Sequence, residues 1–230
     1  MRSTRPAPAC RPDPDGGGAR RSGVVAVSSP VVAKAGTKGV SRAEREEQIL
    51  GLAIEEFGLR GHAHVSVAEV ARRAGISKPL IYSYFGSRDG LASACVRRAG
   101  DLLVGGVADA QVDGEAGRRA LDTFAAIFAV LDGCRHAWAV LYDPTIPRGS
   151  EVHALARGYR AELAALGAAG AADVLRRSGN TDPLDHELLS RVWQQSVNAV
   201  VGWWLEHPEL DAEAMVARCA RVLVTVGHPI

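Results

Sequence analysis

Two short helices joined by a glycine turn, over residues 66–85, form the sequence feature that most constrains the fold of this chain. Ser66 is a candidate N-cap of the first helix, and Glu69 stands three residues later, where its side chain can reach back to the cap. The apolar residues of this helix share one face, and they are Val67, Val70, Ala71 and Ala74. Gly75 predicts the end of the helix, because glycine adopts the left-handed conformation of a helix terminus without a steric penalty.

The second helix of the pair is predicted over residues 78–85. The chain restarts at Ser77 or the residue after it, and Pro79 suits the first turn, where its missing N–H would have no partner in any case. Ile81 and Phe85 lie four residues apart and point inward. The side chains left outside are Lys78, Pro79, Tyr82 and Ser83. A helix that enters the major groove of DNA needs an outer face of this kind.

The residues on either side complete a small helical domain. Ser41 and Glu44 form a second candidate capping box, and the helix that follows is predicted to end near Gly61. Its apolar stripe consists of Leu50, Ala53, Ile54 and Phe57. Ser87 is the predicted cap of a further helix that runs past residue 100. We therefore expect three helices around one core, followed by a connecting helix.

Residues 41–100 resemble the DNA-binding domain of the tetracycline-repressor (TetR/AcrR) family. The matching positions are Phe57, Gly61, Ser66, Val70-Ala71, Ala74-Gly75-Ile76-Ser77, Leu80-Ile81-Tyr82, Tyr84-Phe85, Ser87-Arg88 and Leu91. The resemblance covers about a quarter of the chain, and its most specific part is the Tyr-x-Tyr-Phe-x-Ser-Arg run. Ala68 and Leu80 depart from some members, which carry polar residues there, so an operator cannot be transferred from a relative.

The resemblance implies phosphate contacts from Tyr82 and Arg88, with four residues near base edges or backbone: Lys78, Pro79, Ser83 and Tyr84. Lys78 is the strong donor of the second helix that can address guanine O6 and N7. Pro79 and Leu80 offer apolar contact to a thymine methyl. The predicted DNA-binding set is Ser66, Ser77, Lys78, Pro79, Leu80, Tyr82, Ser83, Tyr84 and Arg88.

Each of these assignments has a structural alternative. The two tyrosines, Tyr82 and Tyr84, can instead cover the small core. Lys78 can be a solvated residue of the first turn. Arg88 can pair with Asp89 or with the acidic residues of the helix that begins after Ser41.

Charge is distributed unevenly along the chain, although its total is +1. Residues 1–40 carry a net +5, residues 41–100 carry +2 and residues 101–230 carry −6. This division suits a protein that presents one end to a polyanion. Residues 1–40 are rich in Pro, Gly, Ala and Arg, so we predict a disordered basic arm, either a solvated tail or a segment that touches the minor groove or flanking phosphates.

From residue 101 onward the pattern predicts helices and almost no strand, so the fold class is all-α. Helices are predicted around 117–132 and 150–178, the second ended by Gly179. Another begins at Asp182-Pro183, and a final amphipathic helix follows His207-Pro208.

The helix that begins at Asp182 is apolar on more than one side and must therefore be covered twice. The last two helices resemble the dimerisation pair of the family, which forms a four-helix bundle with its mate. The predicted interface residues are Val197, Val201, Trp204, Met215, Cys219 and Val222.

The resemblance also implies a site for a small, largely apolar effector in this domain. The candidate lining residues are Phe124, Phe128, Trp138, Tyr142, Trp193 and Asn198. Such a set suits an apolar pocket with a few polar groups. The alternative is that these side chains simply fill the core.

Other function classes receive little support from the sequence. It contains no phosphate-binding loop, no G-x-S-x-G and no H-E-x-x-H, so we expect neither an enzyme nor a cofactor. Cys10, Cys95, Cys134 and Cys219 lack metal or disulfide spacing and are expected to be reduced in a cytoplasm. We expect no metal at His62-x-His64 and no membrane span.

The sequence therefore predicts an N-terminal helix-turn-helix domain over 41–86, a connecting helix over 87–105, and a helical ligand-binding and dimerisation domain over 106–230. The expected function is ligand-responsive repression by a homodimer on a palindromic double-stranded operator, in the cytoplasm at the nucleoid. The alternative is a helical small-molecule-binding protein or an activator with no repressor role.

Overall fold

The computed structural model describes residues 41–110 and 116–226, and within these ranges it contains nine helices and no strand. The helices are α1 Arg42–His64, α2 Val67–Ala74, α3 Lys78–Phe85, α4 Arg88–Asp109, α5 Ala116–Asp132, α6 His136–Leu141, α7 Glu151–Arg177, α8 Pro183–Leu205 and α9 Ala212–Val226. The predicted all-α fold, with a helix-turn-helix unit before a helical second domain, is confirmed. The basic arm predicted over residues 1–40 and Cys10 lie outside the described residues.

The starts of the helices follow the predicted caps. The Ser41 side chain accepts the Glu44 amide and the Glu44 carboxylate accepts the Ser41 amide, so the capping box of α1 is confirmed. The second predicted box is formed only in part. The Ser66 hydroxyl accepts the Glu69 amide at 3.2 Å, but the Glu69 carboxylate does not reach back, because it forms two hydrogen bonds with Arg72.

Helices α1 to α3 pack around one apolar centre, which we call the three-helix domain. Ile49, Val70 and Ile81 are each fully buried there. Gly75 takes the left-handed conformation, with φ 66° and ψ 30°, and allows α3 to leave α2 at a sharp turn. The structure thus confirms the turn and the inward face that the sequence predicts.

Helix α4 joins this domain to the C-terminal domain, α5 to α9. It extends to Asp109, four residues beyond the predicted connecting segment, and Leu91 and Leu103 bury its two halves in different parts of one continuous core. Where α4 crosses α7, a Cβ atom on Gly100 would lie 2.3 Å from the ring of Tyr159. The phenol of Tyr159 donates to Asp101 at 2.6 Å, which fixes the crossing beside the glycine.

Helix α6 is a short element that the sequence pattern did not distinguish. It packs against α1, and the approach is close because a Cβ on Gly58 would lie 2.6 Å from the Cβ of His136. The remaining helices match the predicted positions, including α7 with Gly179 at φ 81° just after its end and α8 with Asp182 as its cap. Cys95, Cys134 and Cys219 are buried thiols.

Candidate nucleic-acid interface

The outer face of α3 is built by its first turn. Ser77 is the N-cap, and its hydroxyl accepts the Leu80 amide at 3.4 Å. Pro79 occupies the first turn and leaves no amide without a partner. Ile81 anchors the opposite side in the core, so Lys78 and Pro79 project into solvent.

Lys78 and Tyr82 lie together on this face. The Lys78 ammonium is 5.6 Å from the centroid of the Tyr82 ring, and the ring is half-buried. The Tyr82 ring packs against the core and is only partly accessible to solvent. Ser83 is exposed, but its hydroxyl donates to the Leu80 carbonyl at 2.7 Å.

Tyr84 brings a residue to the interface that the sequence reasoning missed. The guanidinium of Arg42, at the start of α1, lies 4.8 Å from the centroid of the half-buried Tyr84 ring. Arg42 is exposed and directly follows the capping Ser41. A basic residue beside a cap is a weak signal in a sequence, because only the folded three-helix domain brings Arg42 next to Tyr84.

Ser66 and Leu80 are half-buried, and the two serines Ser66 and Ser77 use their hydroxyl oxygens as helix caps. These residues position the helices, and Leu80 presents only part of its side chain. The Arg88 guanidinium donates to the main-chain carbonyl of His62, at the end of α1. This carbonyl, and neither Asp89 nor an acidic residue of α1, is the partner that the structure gives Arg88.

His62 is a buried residue where α1 meets α4 and the loop after α6. Its amide donates to the Asp143 carboxylate at 2.5 Å, and its ring lies 3.6 Å from an Asp89 carboxylate oxygen. Burial, followed by the positive charge of Arg88, lowers the pKa of His62, while Asp89 and Asp143 oppose that shift. The described residues hold no cluster of three side chains suited to a metal, and none of their helices is long and apolar enough to cross a membrane.

The predicted effector residues divide into two groups. Trp138, Tyr142 and Trp193 line an internal cavity of about 20 Å³ between α4, α5, α6, α7 and α8. Trp138 and Tyr142 stack with their ring centroids 4.3 Å apart. The cavity also has two polar residues that sequence reasoning did not select, Thr123 and Gln194.

The other three predicted residues do not line this cavity. Phe128 is fully buried against the edge of Trp204, with ring centroids 5.0 Å apart, so it fills the core. Phe124 lies along a different, open groove, and Asn198 accepts a hydrogen bond from Gln194 at 3.4 Å. Burial also raises the pKa of Tyr142.

Most of the predicted dimer contacts lie inside the protomer. Five of the six residues are buried inside the protomer, and they are Val197, Val201, Trp204, Met215 and Cys219. They lie on the side by which α8 and α9 pack on their own domain, although Met215 and Cys219 also reach the floor of the open groove between the two helices. Val222 is 61% exposed and is the one residue of the set on the outer side.

A second apolar stripe runs along the outer side of these helices. Its large exposed residues are Leu184, Leu188, Val192 and Trp203 on α8, with Val222 on α9. An open groove of about 680 Å³ lies between the helices, bounded by Trp203 and Val222 among others. The prediction that α8 is apolar on two sides is thus confirmed, and the α8 residues predicted for the dimer interface lie on the side that packs within the protomer.

The turn at Gly75, the inward Ile81 and the exposed start of α3 define a helix-turn-helix protein with a helical second domain. Residues 49–95 match the family model described as bacterial regulatory proteins, tetR family. Residues 49–95 thus form a DNA-binding domain of the kind found in TetR-family transcriptional regulators.

The relatives found are similar over different parts of the molecule. The HTH-type transcriptional activator FasR of Mycolicibacterium smegmatis is 44% identical over 69 residues, which are 30% of this chain and 32% of FasR. The chain is thus matched to about a third of that relative. A TetR-like transcriptional regulator from Rhodococcus sp. RHA1 is 25% identical with a TM-score of 0.63, over 83% of this chain and 100% of the other. FadR from Bacillus subtilis, in complex with stearoyl-CoA, shares the fold at 17% identity and a TM-score of 0.59, over 77% and 96% of the two chains.

Proposed function

We propose that this protein is a ligand-responsive repressor that binds a palindromic operator as a homodimer in the cytoplasm. Helix α3 enters the major groove, Lys78 contacts a base edge, and Tyr82 and Arg88 contact phosphates. The observation that carries the proposal is the two-sided character of α3: Ile81 is fully buried, while Lys78 and Pro79 are exposed at its capped start.

The direct test is selection of bound fragments from random double-stranded DNA with the full-length protein. We expect two inverted half-sites whose centres are separated by about 34 Å or a multiple of that distance, because a twofold dimer presents its recognition helices at this spacing. A selected site without inverted symmetry, or no enrichment, would contradict the proposal.

Three substitutions then separate the proposed roles on the selected site. Tyr82→Ala and Arg88→Ala should weaken binding to all sequences, and Arg88→Ala should reduce the salt slope of log K by about 1. Lys78→Ala should relax the preference at one base pair, which is worth about 1–3 kcal/mol. Arg118→Ala is the matched control, because Arg118 is an exposed cation on α5 that pairs with Asp122.

The outer stripe on α8 and α9 supports the homodimer part of the proposal. Five large apolar side chains are exposed there, and an open groove runs between the helices. Exposed apolar surface of this extent is typical of an association site. A second copy that applies the same stripe would bury both and form a four-helix bundle.

The effector site of the proposal is the cavity beside Trp138, Tyr142 and Trp193. Its lining is mostly apolar, with Thr123 and Gln194 as polar groups, which supports a largely apolar effector. The present volume of about 20 Å³ accommodates little more than one water. Binding therefore requires the aromatic rings to move apart, and this movement is the conformational change that ligand would favour.

Gly167 gives a way to test this site, because a Cβ there would lie 2.8 Å from the Trp193 ring. Stearoyl-CoA, the compound bound to the structural neighbour FadR, is a suitable probe, with quenching of tryptophan fluorescence as the signal. Gly167→Ala should abolish the quenching. It should also abolish the ligand-induced release of the protein from operator DNA. Gly158→Ala on the same helix is the control, since nothing lies within 4 Å of its Cβ position. Equal quenching in both variants would place the site elsewhere.

Activation is the second candidate, because the relative FasR is named an activator. The two functions differ in the effect of the protein on transcription from its own selected site. A reporter under that site should be silenced by the protein if it is a repressor. Higher expression with the protein than without it would identify an activator.

A further inference from the structure

The two peptide groups after Gly61 are held by side chains from the loop that follows α6. The His62 amide donates to Oδ2 of Asp143 at 2.5 Å, and the Ala63 amide donates to Oγ1 of Thr145 at 3.1 Å. Asp143 and Thr145 are themselves joined, because the Thr145 amide and hydroxyl both donate to Oδ1 of Asp143 at 2.7 Å. We call residues 143 to 145 the latch loop.

The backbone at Gly61 makes this contact close. Gly61 has φ 71° and ψ 164°, and these angles interrupt α1. The backbone of a residue that carries a side chain rarely adopts this conformation. A Cβ on this residue would lie 2.9 Å from Oγ1 of Thr145 and 3.4 Å from Oδ1 of Asp143. The end of α1 and the latch loop therefore fit each other through a position that only glycine suits.

The held peptide also carries the partner of Arg88. The carbonyl of His62 accepts a hydrogen bond from the Arg88 guanidinium, while the amide of the same residue donates to Asp143. One residue of main chain thus separates the latch loop from the side chain proposed to contact phosphate. Asp143 is 9% exposed, so its hydrogen bonds are largely shielded from water.

We propose that Asp143 and Thr145 are positioning residues for DNA binding, which hold the His62 peptide and through its carbonyl place Arg88 toward the phosphate backbone. This inference rests on the proposed function. The latch loop begins directly after Tyr142, which lines the internal cavity and stacks on Trp138. The latch loop is therefore the segment of the chain that lies between the cavity and Arg88.

The test measures affinity for the selected operator at several salt concentrations by fluorescence anisotropy. Thr145→Val keeps the shape of the side chain but removes the acceptor for the Ala63 amide, and we expect affinity to fall about three- to tenfold. The salt slope should also decrease, although no charge is removed, because Arg88 no longer reaches its phosphate. Thr145→Ser keeps the oxygen and should restore both quantities, and Thr181→Val, at an exposed threonine, should change neither.

A double-mutant cycle with Arg88→Ala decides whether the latch loop acts through Arg88. If it does, Thr145→Val should cause little further loss in the Arg88→Ala background, because the two changes remove one contact. Independent, additive losses would overturn the proposal, and so would wild-type affinity and salt slope in Thr145→Val. Thermal melts of each variant separate a loss of folding from a loss of positioning. Failure of the proposed function is distinguishable, because the wild-type protein itself would then select no DNA site.

Discussion

The three-helix domain and the C-terminal domain are both helical, yet their faces follow from the sequence to different degrees. In the three-helix domain, α2 and α3 have eight residues each and one apolar side each, so the inward residues are determined by spacing alone. In the C-terminal domain, α8 has 23 residues and two apolar sides. Spacing identifies both stripes there but does not say which one faces the protomer.

This difference has a physical cause. A helix with one partner needs one apolar stripe, which its own chain buries. In the proposed homodimer, α8 has two partners, its own domain and the second copy, and each would cover one of its apolar stripes. Large aromatic residues do not separate the two, because Trp204 is fully buried and the adjacent Trp203 is 41% exposed. Residue type alone therefore does not tell which of two neighbouring tryptophans packs inside the protomer and which faces outward.

The strongest test of this comparison is a charge on the outer stripe. Trp203→Glu should convert the proposed dimer to a monomer, because a large aromatic residue buried in an interface contributes about 2 kcal/mol or more and a buried carboxylate opposes association. Light scattering of the full-length protein measures the change. Leu59→Glu is the control, since Leu59 is 67% exposed but lies on α1. Dissociation caused by both variants, or by neither, would contradict the assignment of the outer stripe.

The next effect concerns the contact between α4 and α7, at the point where the two helices cross. Gly100→Ala should destabilise the protein by about 1–3 kcal/mol, because the added methyl would overlap the Tyr159 ring, 2.3 Å from its Cβ position. Gly105→Ala lies on the same helix with nothing within 4 Å and should stabilise it by about 0.5–1 kcal/mol. Denaturant unfolding measures both. Equal stability of the two variants would show that α4 and α7 separate freely.

A smaller effect should distinguish the domains by function. Ser77→Ala removes the N-cap of α3. Ser150→Ala removes the N-cap of α7, where the Ser150 hydroxyl accepts the His153 amide at 3.1 Å. Each loss should reduce stability by about 0.5–2 kcal/mol. Only Ser77→Ala should also weaken binding to the selected operator, because α3 is short and depends more on its cap. Equal operator binding by Ser77→Ala and Ser150→Ala would contradict this difference between the two domains.

Much of the fold was accessible from the sequence, since caps, glycines and apolar spacing are local signals. The starts of α3, α4 and α8 at Ser77, Ser87 and Asp182 are examples. Helix α6 was missed because six residues carry too little periodicity. The contacts of Arg42 with Tyr84 and of Asp143 with His62 were missed for another reason. They join residues distant in the chain, and no local pattern marks them.

His62 should give the smallest effect, at the junction of the two domains. Its pKa is lowered in the folded protein, first by burial and then by Arg88, against the opposing charges of Asp89 and Asp143. The unfolded chain therefore binds a proton more readily, so the free energy of unfolding should decrease as the pH falls below the usual histidine range. The contribution of His62 to the free energy of unfolding should be fully present above that range.

The measurement is the denaturant midpoint between about pH 5 and pH 8, compared for the wild type and His62→Gln. Glutamine does not titrate, so the decrease on acidification should become smaller in the variant. His64→Gln controls for the loss of one imidazole at an exposed position two residues away. If operator affinity at low pH falls together with stability in the wild type but not in His62→Gln, the junction and the DNA-binding face are one cooperative unit. If stability decreases equally in all three proteins, the acid sensitivity belongs to other groups, and the boundary between the two domains does not depend on the charge of His62.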